Sequence, residues 1–218
     1  MKSFCVLGLG KFGQSLAVSL AKREYQVMVI DENENVVNAL ADHMTNAIIG
    51  DPASEQILRA SGAAEYDCVI VALSERINDS ILITMLLKEM GAPYVVVRAN
   101  SELERRVLEK VGADRIVFPE QEMGEKLAGM LESDSILEKL QFSDRYSLVE
   151  IPVPEAWVGK SLIELSLRTK YGVNVIALTE PDGEIAINID PQKPIGAGGK
   201  MMFIGENKKI SKLLNKNS

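Results

Sequence analysis

Short apolar runs alternate with longer amphipathic stretches through the first three-fifths of this 218-residue chain, and that alternation constrains the fold more than any other feature. The apolar runs are 4–7, 27–31, 47–50, 68–73, 94–98 and 115–118. Amphipathic stretches at 13–22, 35–42, 54–60, 79–90, 101–111 and 122–131 follow them in turn. The first set has strand length and the second helix length, so the pattern is a β-α unit repeated about six times, which implies a parallel sheet. Runs 69–73 and 94–97 are apolar on both faces, as central strands covered by helices on each side must be. Gly62-Ala63, Gly91-Ala92 and Gly112-Ala113 punctuate three helix ends, where glycine turns the chain back toward the sheet. An α/β fold with a doubly wound, Rossmann-like parallel sheet is predicted.

The rhythm breaks at 132–145, where Ser135-Ile136-Leu137-Glu138-Lys139-Leu140 carries a helical pattern before the polar Ser143-Asp144-Arg145. Three segments follow from this: an α/β domain over 1–132, a linker or crossover helix over 133–145, and a small α+β domain over 146–218. The last holds strand patterns at 148–153, 173–179, 185–189 and 201–204, a short helical pattern at 162–168, and a final Lys- and Asn-rich helix from 207. A domain of about 70 residues is marginal alone and often pairs with a second copy.

Composition narrows the chemistry. With 24 Lys+Arg against 31 Asp+Glu the net charge is −7, and the pI is near 5.0, which argues against nucleic acid as a partner. No apolar run approaches the ~18 residues of a transmembrane helix, the N-terminus lacks a signal-peptide pattern, and there are only two cysteines, so a cytoplasmic address is expected. Cys5 and Cys68 fall in apolar runs and read as small buried hydrophobes. His43, the one histidine, reads as a surface or capping residue, which leaves few parts for a metal centre or a nucleophilic triad.

The motif with chemical content is Gly8-Leu9-Gly10-Lys11-Phe12-Gly13, a G-x-G-x-x-G between the first strand and the first helix. Gly8 permits the turn, Gly10 clears the approach of a diphosphate, and Gly13 allows close helix–strand packing, with helix N–H groups facing the anion. Asp31 closes the second strand, 21 residues beyond Gly10, where a carboxylate accepts from both ribose hydroxyls and repels a 2′-phosphate. An unphosphorylated adenosine ribose fits and NADP does not. The competing reading is a bare sheet with Asp31 as a helix cap. Tyr25, Tyr66, Tyr94, Tyr146 and Tyr171 are followed four residues on by Val29, Ile70, Arg98, Glu150 and Val175, so no Tyr-x-x-x-Lys pair exists. A non-enzymatic binding protein is therefore expected. A small NAD-dependent oxidoreductase is the rival, and a redox-sensing repressor is disfavoured because no DNA-binding helices precede the first strand. Gly196-Ala197-Gly198-Gly199-Lys200 lacks phosphate-loop spacing and reads as a turn before the last strand.

These residues resemble the RCK (regulator of potassium conductance) family of the KtrA/TrkA type. The likeness runs through Val6-Leu7-Gly8-Leu9-Gly10-Lys11-Phe12-Gly13, Asp31-Glu32-Asn33, Ile49-Gly50-Asp51 and Val111-Gly112-Ala113-Asp114-Arg115-Ile116-Val117-Phe118-Pro119-Glu120. In the smaller domain it is carried by Ser147-Leu148-Val149-Glu150-Ile151, Gly159-Lys160-Ser161-Leu162 and Tyr171-Gly172-Val173-Asn174-Val175-Ile176-Ala177.

The resemblance implies a cytoplasmic gating subunit, peripheral at the inner membrane face. Its RCK-N (TrkA-N) domain would bind ATP, ADP or NAD(H), and its RCK-C (TrkA-C) domain would follow. Homodimers would assemble into an octameric ring that acts on a membrane potassium-transporting subunit of the KtrB/TrkH type. By this likeness Gly8, Gly10, Phe12 and Gly13 form the phosphate loop, Asp31, Glu32 and Asn33 lie at the ribose, Asp51 and Pro52 near the adenine, and Ala72 and Leu73 along the fourth-strand wall. Lys11 stands where KtrA proteins commonly carry an arginine directed at the terminal phosphate. Glu120 matches a carboxylate at the dimer interface that senses the γ-phosphate, where a divalent ion or a nearby base such as Lys11 or Arg98 would offset the repulsion from the polyphosphate; its other reading is a helix N-terminal charge. Cyclic di-AMP binding in some relatives uses positions like Ile163, Arg168, Val175 and Ile176, although the apolar three also read as dimer core, the preferred reading.

Overall fold

The computed structural model describes residues 2–73, 76–131 and 136–217. It divides into two compact units, Met1–Glu120 and Gln121–Ser218.

In the first unit, β1 (Ser3–Leu7), β2 (Gln26–Asp31), β3 (Asn46–Ile49), β4 (Cys68–Val71), β5 (Val95–Arg98) and β6 (Arg115–Val117) form one parallel sheet in the order β3-β2-β1-β4-β5-β6. The crossovers are helices α1 (Lys11–Ala21), α2 (Glu34–Ala41), α3 (Glu55–Ser61), α4 (Ile77–Glu89) and α5 (Glu102–Lys110), with a 3-10 turn at Ala63–Glu65. Side chains alternate across a strand. Cys5 and Leu7 therefore enter one hydrophobic cluster with Met28, Ile30, Val69 and Val71, while Val6 enters the other with Val27, Val29 and Ile70. Burial on both faces explains why these strands read as unbroken apolar runs. Each fully buried Val, Leu or Ile contributes roughly 1.5–3 kcal/mol.

The two cysteines lie where the apolar runs place them. Cys5 is buried and Cys68 half-buried. Burial pushes the Cys5 thiol up well beyond its ordinary range and pushes Cys68 up to about 11. His43 is exposed just past α2. Gly62, Gly91 and Gly112 all adopt positive φ at the helix ends they were expected to close.

The chain moves outward from β1 to β3, returns, and continues from β4 to β6. The strand order thus reverses beside β1, which opens a crevice at the carboxyl ends of β1 and β4.

The helix α6 (Pro119–Leu131) spans the division between the units. The second unit is a sheet of β7 (Glu138–Gln141), β8 (Tyr146–Pro152), β9 (Asn174–Thr179), β10 (Ile185–Ala186) and β11 (Lys200–Glu206) in the order β10-β9-β11-β8-β7, every neighbouring pair antiparallel. Short helices α7 (Leu162–Leu165) and α8 (Leu167–Tyr171), a 3-10 turn at Glu155–Trp157 and the final α9 (Asn207–Asn217) complete it. Only one face of this sheet carries the main core. Val149, Ile151, Met201 and Phe203 join Trp157, Val173 and Leu213 in one cluster, while Leu148, Glu150, Met202 and Ile204 on the other face are half-buried.

One expectation is corrected. The crossover helix over 133–145 is replaced, in its described part, by β7 and a hairpin to β8 that pairs Leu140 with Leu148 and Glu138 with Glu150. The reversal is made by Ser143, whose Oγ accepts from the Arg145 and Tyr146 backbone N–H groups at 3.3 and 3.2 Å. The expected boundary after 132 falls among residues outside the described set, and the compact division lies after Glu120.

Candidate functional site

The turn from β1 into α1 shows a distinct physical constraint at each glycine. Gly8 has φ +92, and a Cβ there would lie 2.7 Å from Leu73 Cδ2. Gly13 sits so close to the turn that a Cβ would lie 2.0 Å from the Gly8 carbonyl oxygen and 3.3 Å from the Ala72 Cβ. At Gly10, the exposed N-cap of α1, a Cβ would meet no atom within 4 Å among the described residues beyond its own chain neighbours. Two glycines are thus required by the fold, and the third clears space in front of the helix N-terminus without being needed for packing. Leu9, between them, is buried and anchors the turn in the second cluster with partly buried Phe12, and Gln14 Nε2 donates to its carbonyl at 2.7 Å.

Asp31 fastens the turn to the end of β2. Its Oδ2 accepts the Leu9 N–H at 2.5 Å and its Oδ1 accepts the Asn33 N–H at 2.8 Å. It is not the cap of α2: that residue is Asn33, whose side chain accepts from the Asn35 N–H at 3.1 Å. Each carboxylate oxygen offers about two lone-pair directions. With one backbone N–H on each, Asp31 keeps capacity to accept from two hydroxyls. The residues of this crevice therefore fit an adenosine diphosphate group: open space before α1, backbone N–H groups facing it, and a carboxylate with one free direction per oxygen.

The remaining expected residues distribute around the same edge of the sheet. Exposed Lys11 opens α1, and Glu32 is exposed beyond β2. Asp51 follows β3, where its Oδ1 accepts the Ala53 N–H at 2.9 Å, and Pro52 beside it is buried. Ala72 continues β4, donating its N–H to the Leu7 carbonyl at 2.8 Å, and Leu73 packs against Gly8.

Further along the sheet, Arg98 ends β5 with only 12% of its side chain exposed and pairs with Glu120 Oε1 at 2.7 Å. Its Nε is buried without a hydrogen-bond partner. Glu120 lies in the first turn of α6. Among the described residues no group of three or more His, Cys, Asp or Glu side chains converges as a metal site.

In the second unit, Ile163 and Arg168 are exposed, Ile176 is half-buried, and Val175 packs against the core. The 196–200 turn leads into β11, as its spacing implied.

Sequence reasoning missed Arg76. It stands at the N-terminal boundary of α4 without a capping hydrogen bond, and pairs through Nε with Asp79, through Nη1 with Glu32 at 3.0 Å and through Nη2 with Asp51 at 4.0 Å. Asp79 is an i,i+3 neighbour, but no linear spacing announces Glu32 and Asp51, which come to Arg76 only through the order of the strands.

Fold and crevice together define the class: a Rossmann-type α/β module followed in the chain by a small α+β domain. Residues 4–119 match the TrkA-N domain and residues 147–217 the TrkA-C domain. Ktr system potassium uptake protein A of Bacillus subtilis (strain 168) is 37% identical over 214 residues, covering 98% of this chain and 96% of that protein. Ktr system potassium uptake protein C of the same organism is 40% identical over 177 residues, covering 81% of this chain and 80% of that protein. The chain belongs to this TrkA-N/TrkA-C family, of the KtrA/TrkA RCK type.

Among solved structures, the GsuK RCK domain superposes with a TM-score of 0.55 at 24% identity, covering 99% of this chain and 46% of that one. The GsuK channel bound to NAD gives 0.56 at 23% identity, covering 100% and 38%. At such identity these two likenesses bear on the fold. The Ktr relatives are named as uptake-system proteins rather than enzymes, so the oxidoreductase reading is set aside. No helix among the described residues is long and apolar enough to cross a membrane.

Proposed function

We propose that this chain is a cytoplasmic regulatory subunit that binds an adenine nucleotide at the β1–α1 crevice and thereby gates potassium transport by a membrane subunit of the KtrB/TrkH type. The observation that carries the reading is the turn fastened by Asp31, with open space at Gly10 before the N-terminus of α1. The Ktr relatives supply the transport context, and the GsuK channel bound to NAD shows a related fold with a dinucleotide.

When bound, the nucleotide supplies a polyanion and two ribose hydroxyls. Asp31 accepts from the hydroxyls, the α1 N–H groups face the phosphates, and Lys11 supplies the one cationic side chain of the motif itself. Gating requires that the ligand prefer one conformation of the assembly, because equal affinity for both shifts nothing. ATP and ADP differ by the γ-phosphate. Lys11 and Glu120 are the assigned points of that difference, Glu120 together with a divalent cation held by the phosphates. The assembly is a homodimer-based octameric ring. Ile163, Val175 and Ile176 belong to a dimer core in this scheme, and cyclic di-AMP bound there with Arg168 is the rival reading that titration separates.

Calorimetric titration with ATP, ADP, NADH and cyclic di-AMP, alongside the measured oligomer mass, tests this. Adenine nucleotide should bind, and Asp31→Ala should abolish binding. A wild-type chain that binds none of the first three refutes the sensor reading. Sustained turnover of NADH with carbonyl substrates would restore the oxidoreductase.

A further inference from the structure

Arg76 occupies a position that its own element does not explain. It starts just beyond β4, yet two of its three acidic partners, Glu32 and Asp51, lie just beyond β2 and β3. In the sheet, β1 stands between β2 and β4. The strand order therefore sets the guanidinium beside residues that follow β2 and β3, on the side of β1 where Asp31 closes β2. Glu32 also neighbours Asp31, the residue that holds that turn. The arm therefore lies beside the adenosine part of the crevice.

Stability does not account for this arrangement. The side chains of Arg76, Glu32 and Asp51 are 45%, 61% and 47% exposed, and ion pairs that open to solvent contribute little to folding. The geometry does fix the guanidinium. Nε is held by Asp79 on its own helix and Nη1 by Glu32, while Asp51 lies 4.0 Å from Nη2, so each nitrogen of the guanidinium faces a carboxylate. What the group can still offer a ligand is its flat, cationic face, the surface that stacks on aromatic rings.

We infer that Arg76 is a specificity-determining residue of the crevice, a tethered planar cation that lies against the purine base and selects an aromatic nucleotide over bare polyphosphate. This rests on the nucleotide reading above and names the group that recognises the base. Lysine replaces it incompletely, because an ammonium keeps the charge but presents no plane to stack on the base and no fork to meet the three carboxylates.

The test is calorimetric titration of the full chain and of Arg76→Ala and Arg76→Lys with two probes, ADP and inorganic pyrophosphate. ADP affinity should fall on the order of tenfold in Arg76→Ala, the scale of a cation–π contact, and by less in Arg76→Lys, while pyrophosphate affinity stays within about twofold of wild type in both. Three results overturn the inference: unchanged ADP affinity in Arg76→Ala, tighter ADP binding (which makes the arm a barrier), or equal losses for both probes with rescue by lysine (which makes it a phosphate-directed charge). Absence of ADP binding by the wild-type chain is a different outcome, and it removes the nucleotide reading along with the inference.

Discussion

The two units solve the burial problem differently. In the first, every central strand is covered on both faces, and the candidate recognition elements sit at the sheet's end, on turns that Leu9 ties into the core. In the second, one face of the sheet carries the main core and the other is half-buried, with Leu140, Ile185 and Ile187 exposed by 54%, 62% and 70%. A two-faced core leaves only an edge for chemistry, and edges suit small ligands held by backbone. A one-faced core leaves a broad surface that is partly apolar, the kind of surface that second copies of small domains cover.

The largest expected perturbation falls on the one-faced core. Phe203 is fully buried in it, and Phe203→Ala should cost about 3–5 kcal/mol. Trp157, the chain's only tryptophan, belongs to the same cluster, so its fluorescence reports this unit alone. The fluorescence transition should move to lower denaturant while nucleotide affinity is retained. Loss of both together would show that the units do not keep separate roles.

Gly13→Ala attacks the other side of the comparison. The added methyl meets the Gly8 carbonyl, which belongs to the backbone and cannot rotate away, so a cost of about 1–3 kcal/mol is expected. The far-ultraviolet circular dichroism transition should broaden or split as the first unit melts earlier, with Trp157 fluorescence unmoved.

Glu120→Gln is smaller still in energy and is read in conformation. Both ATP and ADP should bind, and their small-angle scattering profiles should become equal. A wild-type difference that persists in the variant removes Glu120 from the sensing role.

The smallest effect is a pH effect. Burial acts to push the Asp114 carboxyl up, but the Val95 N–H at 2.7 Å and the Lys88 ammonium at 2.9 Å outweigh it and hold the group below its ordinary 3.8. A carboxyl lowered in the folded state stabilises above its unfolded value and loses that contribution as the pH falls through the folded one. Asp114→Asn should therefore cost at most about 1 kcal/mol near neutrality, given the partial exposure, and that difference should shrink as the pH drops below 3.8. Urea melts across that window check the sign.

The same contrast governs what was legible in the residues. Strands buried on both faces announce themselves as apolar runs, so the first unit's order of elements and its glycine turn could be read directly, and Asp31 could be placed at a fixed distance from Gly10. β7 could not. It is an edge strand of Glu138-Lys139-Leu140-Gln141, too short and too polar to show alternation, and the Ser143 turn that makes it a hairpin partner works through side-chain acceptance from the backbone. Arg76 was invisible for a different reason, since its partners are assembled by strand order and no spacing along the chain brings 32, 51 and 76 together. Glu120 became visible through family likeness, and its pairing with Arg98 awaited the fold.

The contact between Gly13 and the Gly8 carbonyl has a mechanical corollary. With no room for even a methyl between them, the loop and α1 have no play at their joint. A force applied to the loop cannot be absorbed there by local give, so it passes into the whole rod of the helix as one displacement. The joint is packed without slack, so a displacement of the loop would carry the helix with it.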